Sequence, residues 1–233
     1  MERHITLPLT EELARTLHAG DTVYLTGTIY TSRDAGHKRM CEALARGEEL
    51  PFDPKDATIY YVGPTPAKPG QVIGSAGPTT SGRMDAYAPA MMSVGARGMI
   101  GKGARLPEVV EAMKKYSGVY FGAIGGAGAL LAKCIKKAEL VAYEDLQSEA
   151  LRRLYVEEMP LVVIIDCEGN NLYEQGREAY LKEHNKKVIT KAPQDIYYNN
   201  TWDCVNICKG AFLYGKFSGL PGYSGTYRQV TYT

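Results

Sequence analysis

Three cations stand in loops whose composition suits anion binding. Arg33 lies in Gly27-Thr-Ile-Tyr-Thr-Ser-Arg-Asp34, Arg83 lies in Gly74-Ser-Ala-Gly-Pro-Thr-Thr-Ser-Gly-Arg-Met-Asp85, and Lys102 sits between Gly101 and Gly103. Glycine lets the backbone approach a ligand, and hydroxyls and main-chain N–H groups add donors. An arginine can fork onto a carboxylate, so two of them suit a substrate with two carboxylates. A small dicarboxylate is therefore the ligand expected from the residues alone. The same 74–85 loop would also serve as a plain strand-to-helix connection with Ser81 as N-cap. No strong base or electrophile stands out, so the chain looks incomplete as an isolated catalyst.

The elements around these loops must bring the cations together. Thr22–Thr26, Thr58–Val62, Gly98–Gly103, Gly118–Ile124, Ala138–Ala142 and Leu161–Asp166 read as strands, the last of them central. Leu9–Gly20 reads as a short helix capped by Thr10. Asp34 is expected to cap a helix running to about Arg46, stopped by Gly47. Further helices are expected over Met84–Met92, interrupted at Pro89, over Leu106–Lys115, and after Gly125. Strands alternate with helices, which implies an α/β or layered mixed architecture. Arg33, Arg83 and Lys102 each follow or approach a strand, and such loops gather at the carboxyl ends of parallel strands, where ligands bind. Past Leu172 the character changes. Tyr173–Lys187 reads as a charged helix, and Asp195–Thr233 is rich in Tyr, Gly and Asn and holds the lone Trp202. Residues 173–233 are expected to be an extension that packs on the core or on a partner chain.

Composition excludes several classes. With 233 residues, 45% of them hydrophobic, the chain can bury one sizeable core. A net charge of +1 gives no reason to expect nucleic acid or an acidic membrane. No apolar run approaches the roughly 20 residues of a membrane span, and Met1–Leu9 lacks a signal-peptide core. A cytoplasmic location is expected. The five cysteines are an odd set without an export signal, so reduced thiols are expected rather than disulfides. Cys204-Val-Asn-Ile-Cys208 has neither zinc nor ferredoxin spacing, and the four histidines, His37 among them, do not suggest a metal cage. Gly101-Lys-Gly is not a P-loop, the Gly122–Gly128 run is not Gly-x-Gly-x-x-Gly, and no Gly-x-Ser-x-Gly or His-Glu-x-x-His occurs.

Taken together, Thr26-Gly-Thr-Ile-Tyr-Thr-Ser-Arg-Asp-Ala-Gly-His-Lys-Arg, Tyr61-Val-Gly-Pro, Gly77-Pro-Thr-Thr-Ser-Gly-Arg-Met-Asp, Ile100-Gly-Lys-Gly and Gly122-Ala-Ile-Gly-Gly-Ala closely resemble the iron–sulfur hydro-lyases of the class I fumarate hydratase and tartrate dehydratase family. The match is to the β subunit, equivalent to the C-terminal domain of single-chain members, and covers about residues 5–172. The resemblance implies a swivelling β/β/α layered domain over residues 1–172, with a mixed, largely parallel sheet, followed by the 173–233 extension. It implies a hetero-oligomer in which an α subunit carries the 4Fe-4S cluster, with no metal ligand on this chain. In the family the cluster's unique iron acts as Lewis acid on the substrate. By the same resemblance Thr79 is the base at the substrate carbon, Lys102 a second catalytic group, and Arg33, Arg83 and Thr80 bind substrate. Asp34 and Asp85 are expected to orient neighbouring cations. A threonine alkoxide is an unfavourable base in water and needs nearby positive charge, which Lys102, Arg33 and Arg83 can supply.

The Thr-Ser-Arg-Asp-Ala and Thr-Ser-Gly-Arg-Met-Asp stretches look like the fumarase versions, and tartrate enzymes tend to carry a bulkier residue where this chain has Gly82. Reversible hydration of fumarate to malate, a tricarboxylic acid cycle step, is thus the expected activity. Tartrate or another 2-hydroxy dicarboxylate is the alternative substrate. A non-catalytic dicarboxylate-binding module is the alternative from another class.

Overall fold

The computed structural model describes residues 1–183. The chain divides into two units, Met1–Gln175 and Gly176–Thr233. The expectations for Asp195–Thr233, Trp202, Cys204 and Cys208 lie outside the described residues.

Among the described residues seven strands form one mixed sheet: β1 (Glu2–Thr6), β2 (Thr22–Thr31), β3 (Thr58–Tyr60), β4 (Gly98–Gly101), β5 (Val119–Gly122), β6 (Ile135–Ala142) and β7 (Leu151–Ile165). The α-helices among these residues are α1 (Glu11–Ala14), α2 (Asp34–Ala45), α3 (Ala88–Ser93), α4 (Pro107–Tyr116), α5 (Gly128–Cys134) and α6 (Leu172–Glu183). Neighbours in the run β1, β2, β3, β4, β5 pair parallel. The long strand β7 runs antiparallel to β2, β5 and β6. Because β7 joins β5 back to β2, the pairings close a ring of β2, β3, β4, β5 and β7.

The sequence dictates this arrangement through strands buried on both faces. Tyr60, Val62, Ile100, Val119 and Phe121 face one core, shared with Val23, Leu25 and Ile29 of β2 and Leu154, Val156, Leu161 and Val163 of β7. Ile59, Tyr61, Met99 and Tyr120 face a second core, closed by Met40 of α2, Met91 and Met92 of α3, and Val109 and Met113 of α4. Strands covered on both sides need continuous apolar runs, which is why Thr58–Val62 and Gly98–Gly101 carry no alternating polar residues.

Several expectations need correction. β2 does not stop at Thr26 but continues to Thr31, with a register shift against β7 between Leu25 and Gly27. Pro89 opens α3 instead of interrupting a longer helix, because proline fits the first turn, where its missing N–H costs nothing. The expected helix over Leu9–Gly20 is regular only over Glu11–Ala14, although Thr10 does cap it through Leu13 N at 3.3 Å. Asp34 is not the cap of α2. Arg33 holds the N-cap position without a side-chain cap bond, and the Ala35 N–H donates instead to Glu149 Oε2 at 3.0 Å.

Candidate active site

Since β2 to β5 are parallel, their carboxyl ends lie together. Arg33 follows β2, Gly63 follows β3, Lys102 follows β4, and the 123–127 loop follows β5. The 78–85 segment is laid across these ends. Pro78 bridges to Val62 and Thr80 to Lys102 in strand-like pairs. The Thr79 N–H donates to Tyr61 O and the Ser81 N–H to Lys102 O, both at 2.8 Å. A 3-10 turn over Ser81–Met84 then presents Arg83 outward. Two glycines make the approach possible. A Cβ at Gly63 would lie 2.8 Å from Arg33 Nη1, and one at Gly101 would collide with Ser81 Oγ.

The two arginines expected to bind substrate meet on one carboxylate. Arg83 Nε donates to Asp34 Oδ1 at 2.8 Å, and Arg33 Nη2 lies 3.8 Å from Asp34 Oδ2. Arg33 Nη2 is also 3.5 Å from Glu149 Oε1. Released from capping α2, Asp34 joins the two guanidinium groups, and Glu149 takes over at the helix end. Arg33 Nε and Asp34 Oδ2 are buried without hydrogen-bond partners. The Lys102 side chain extends over Gly125, whose Cβ position lies 3.8 Å from Nζ. Among the described residues neither the Thr79 and Thr80 hydroxyls nor the Lys102 ammonium enters a hydrogen bond or ion pair, so all three can serve a ligand.

Asp85 behaves differently. It is buried, and its two oxygens accept from Arg105 Nε at 2.6 Å and from Leu106 N at 2.7 Å. The cation that it meets is Arg105, and not Arg33, Arg83 or Lys102. The Arg105 guanidinium stacks over the Tyr61 ring at 5.4 Å and the Tyr120 ring at 5.0 Å. The Tyr120 hydroxyl donates to Gly103 O and pairs with Ser81 Oγ, both at 2.9 Å. Burial pushes its pKa up, so it stays protonated. His37 is buried with Nδ1 at 3.0 Å from Arg33 O and 2.9 Å from Ser32 Oγ. Desolvation lowers its pKa to about 4, so the imidazole is neutral and no acid or base at neutral pH. Glu149, Arg105 and Tyr120 carry no local sequence signal, because their partners come from distant segments.

The model of the family described as "Fumarase C-terminus" matches residues 2–176. The chain belongs to that family. This fumarase C-terminus domain is 43% identical over 153 residues to the aerobic class I fumarate hydratase of Salmonella typhimurium, covering 65% of this chain and 26% of that enzyme. Identity to the anaerobic class I fumarate hydratase of Escherichia coli is also 43% over 153 residues, covering 65% of this chain and 28% of the enzyme. A Methanocaldococcus jannaschii protein with the provisional name L(+)-tartrate dehydratase subunit beta is 38% identical over 189 residues, covering 78% of this chain and 93% of that protein. The chain thus spans about a quarter of the length of the two hydratases and nearly all of the archaeal protein.

The described residues of the fumarase C-terminus domain do not fit an iron–sulfur cluster. No group of three or more His, Cys, Asp or Glu side chains among them could hold a metal ion. Cys41 and Cys134 contact backbone carbonyls in separate places, and Cys167 is buried. No helix among the described residues is long and apolar enough to cross a membrane.

Proposed function

We propose that the chain is the β subunit of a class I fumarate hydratase, interconverting fumarate and malate at a site completed by an α subunit that carries a 4Fe-4S cluster. The observation that carries this reading is the gathering of Arg33, Arg83, Thr79, Thr80 and Lys102 at one end of four parallel strands, with Asp34 joining the two arginines. The names of the two hydratases support the chemistry, and the archaeal relative, a named subunit of similar extent, supports a separate polypeptide. The same proposal takes residues 1–172 as a swivelling β/β/α domain, a reading supported by two cores on opposite faces of β3, β4 and β5. Residues 173–233 are its extension, and the assembly is a cytoplasmic hetero-oligomer working in the tricarboxylic acid cycle.

Arg33 and Arg83 hold the two carboxylates, and the Thr80 hydroxyl adds a donor. In the dehydration direction Thr79 Oγ1 takes a proton from the carbon next to the carbinol carbon. The freed electron pair becomes the double bond as the carbon–oxygen bond breaks, the departing hydroxide takes up a proton to leave as water, and Thr79 returns its own proton to solvent to close the cycle; hydration reverses these transfers. The Lys102 ammonium and the arginine pair favour the charged threonine oxygen that this requires.

Anaerobic fumarate hydration by the chain alone, and then mixed with a cluster-loaded α subunit, tests the reading. Activity is expected only in the mixture. Thr79→Ala should lower kcat of the assembled enzyme by at least about 10²-fold with folding intact, and near-normal turnover would remove Thr79 as the base. The archaeal relative's name gives tartrate as the second reading, and preferential turnover of tartrate by the complex would establish it. Binding of dicarboxylate with no turnover on a substrate panel would favour a non-catalytic module.

A further inference from the structure

Beneath the candidate site, two loops that are separate in sequence are tied by one hydroxyl. Tyr120 projects from β5 into the core that faces α3 and α4, and the far end of its side chain reaches the site. Its single proton goes to Gly103 O at 2.9 Å, so by proton count the 2.9 Å contact with Ser81 is made by the Ser81 hydroxyl donating to Tyr120 Oη. The relay Ser81 Oγ–H to Tyr120 Oη–H to Gly103 O=C thus joins the turn after Thr79 and Thr80 to the turn after Lys102. A second link runs parallel to it, from the Ser81 N–H to Lys102 O at 2.8 Å. Tyr120 is buried, and the ring is held by Arg105, itself fixed by Asp85 from the end of the Thr79-bearing loop.

We propose that Tyr120 is a positioning residue for the reaction, its hydroxyl locking the Thr79–Arg83 loop and the Lys102 loop into one unit. The inference rests on the hydro-lyase reading above. Its physical basis is distance. Thr79 must meet the substrate carbon while Lys102 sets the local charge, and a displacement of about 1 Å between such groups can cost about 10²-fold in rate. Arg33 is held by Glu149 and Asp34, and Arg83 has its own bond to Asp34 outside this tie, so carboxylate binding should be less sensitive to it than turnover.

The test is Tyr120→Phe in the assembled α–β enzyme, with Ser81→Ala and the double variant beside it. Removing only the hydroxyl keeps the ring against Arg105. The expected result is a kcat about ten- to a hundredfold lower, with KM for the dicarboxylate within about threefold of the unaltered enzyme. Ser81→Ala should give a similar loss, and the double variant little more, because the two hydroxyls act through one relay. Hydrogen exchange of the chain supplies a readout independent of turnover. The Thr79 and Ser81 amides should exchange at least about tenfold faster in Tyr120→Phe, with β2 and β7 amides unchanged. Unchanged kcat, a loss confined to KM, or faster exchange spread evenly over β2 and β7 would each overturn the proposal. Absence of turnover by the unaltered complex would overturn the hydro-lyase reading alone, and the exchange pattern would then decide for or against the Tyr120 tie.

Discussion

Two aspartate–arginine pairs flank the same short loop, and their surroundings are opposite. In Asp34–Arg83 the side chains are 30% and 53% exposed, whereas in Asp85–Arg105 they are 2% and 0% exposed. The bond lengths hardly differ, 2.8 and 2.6 Å. What differs is what each pair can do. A sealed pair cannot reach a ligand. Its charges have paid desolvation and must stay matched, so it fixes the loop end at Asp85 to the start of α4. An open pair is weak, and under the proposed function Arg83 can leave Asp34 for a substrate carboxylate at little loss.

The largest effect expected from this contrast is on the sealed side. Asp85→Asn leaves the Arg105 charge buried without its counter-ion, between the Tyr61 and Tyr120 rings. Breaking a buried pair in this way costs about 3–5 kcal/mol, read as a lower urea midpoint with the slope unchanged. A loss below about 1 kcal/mol would mean that the two pairs do not differ in kind.

His37 sharpens the contrast, because it responds to both pairs. Desolvation is the main cause of its lowered pKa. The Arg33 carbonyl bonded to Nδ1 opposes the shift, the Arg105 charge adds to it, and Asp34 also opposes it. With a pKa of about 4 in the fold and about 6.5 unfolded, the unfolded chain takes up the proton first as pH falls. Its contribution is therefore complete above pH about 6.5 and is lost as pH drops through about 4, amounting to about 3 kcal/mol. Urea unfolding across that window should show this slope, and His37→Gln should flatten it. An identical slope in the variant would place the titration elsewhere.

The open pair was far more legible in the sequence than the sealed one. Arg33, Arg83, Thr79 and Lys102 stand in loops marked by glycine, proline and hydroxyls, and each loop follows an apolar strand, so local composition was enough to bring them to one sheet end. Asp34 was legible as a residue but not in its role. Its place before a helical pattern suggested a cap, and only the arrival of Glu149 from the segment before β7 frees it for Arg83. Arg105 and Tyr120 were silent because burial is a tertiary quantity: an arginine two residues before a proline reads as surface, and a tyrosine in a strand reads as core. The first part of β7 was missed for a related reason. Between Leu151 and Pro160 buried and exposed positions do not alternate cleanly, and Arg152, Arg153, Glu157 and Glu158 hide the strand among charges.

The smallest expected effect on stability, and the one that separates the two pairs most cleanly, belongs to Arg83. Arg83→Gln removes one partner of an ion pair whose arginine is more than half exposed, so folding stability should change by less than about 1 kcal/mol. Affinity should change more. A charge-assisted hydrogen bond to a carboxylate contributes about 1.5–3 kcal/mol, which corresponds to a roughly ten- to hundredfold weaker KM for the dicarboxylate in the assembled enzyme. The Asp34 carboxylate left behind has a second arginine within reach, since Arg33 Nη2 lies 3.8 Å from it. Arg33 can therefore lean toward Asp34 and away from the ligand, so Arg83→Gln should weaken binding by more than Arg83→Gln combined with Asp34→Asn. Equal KM values for the single and double variants would mean that Asp34 does not compete with substrate for the arginines.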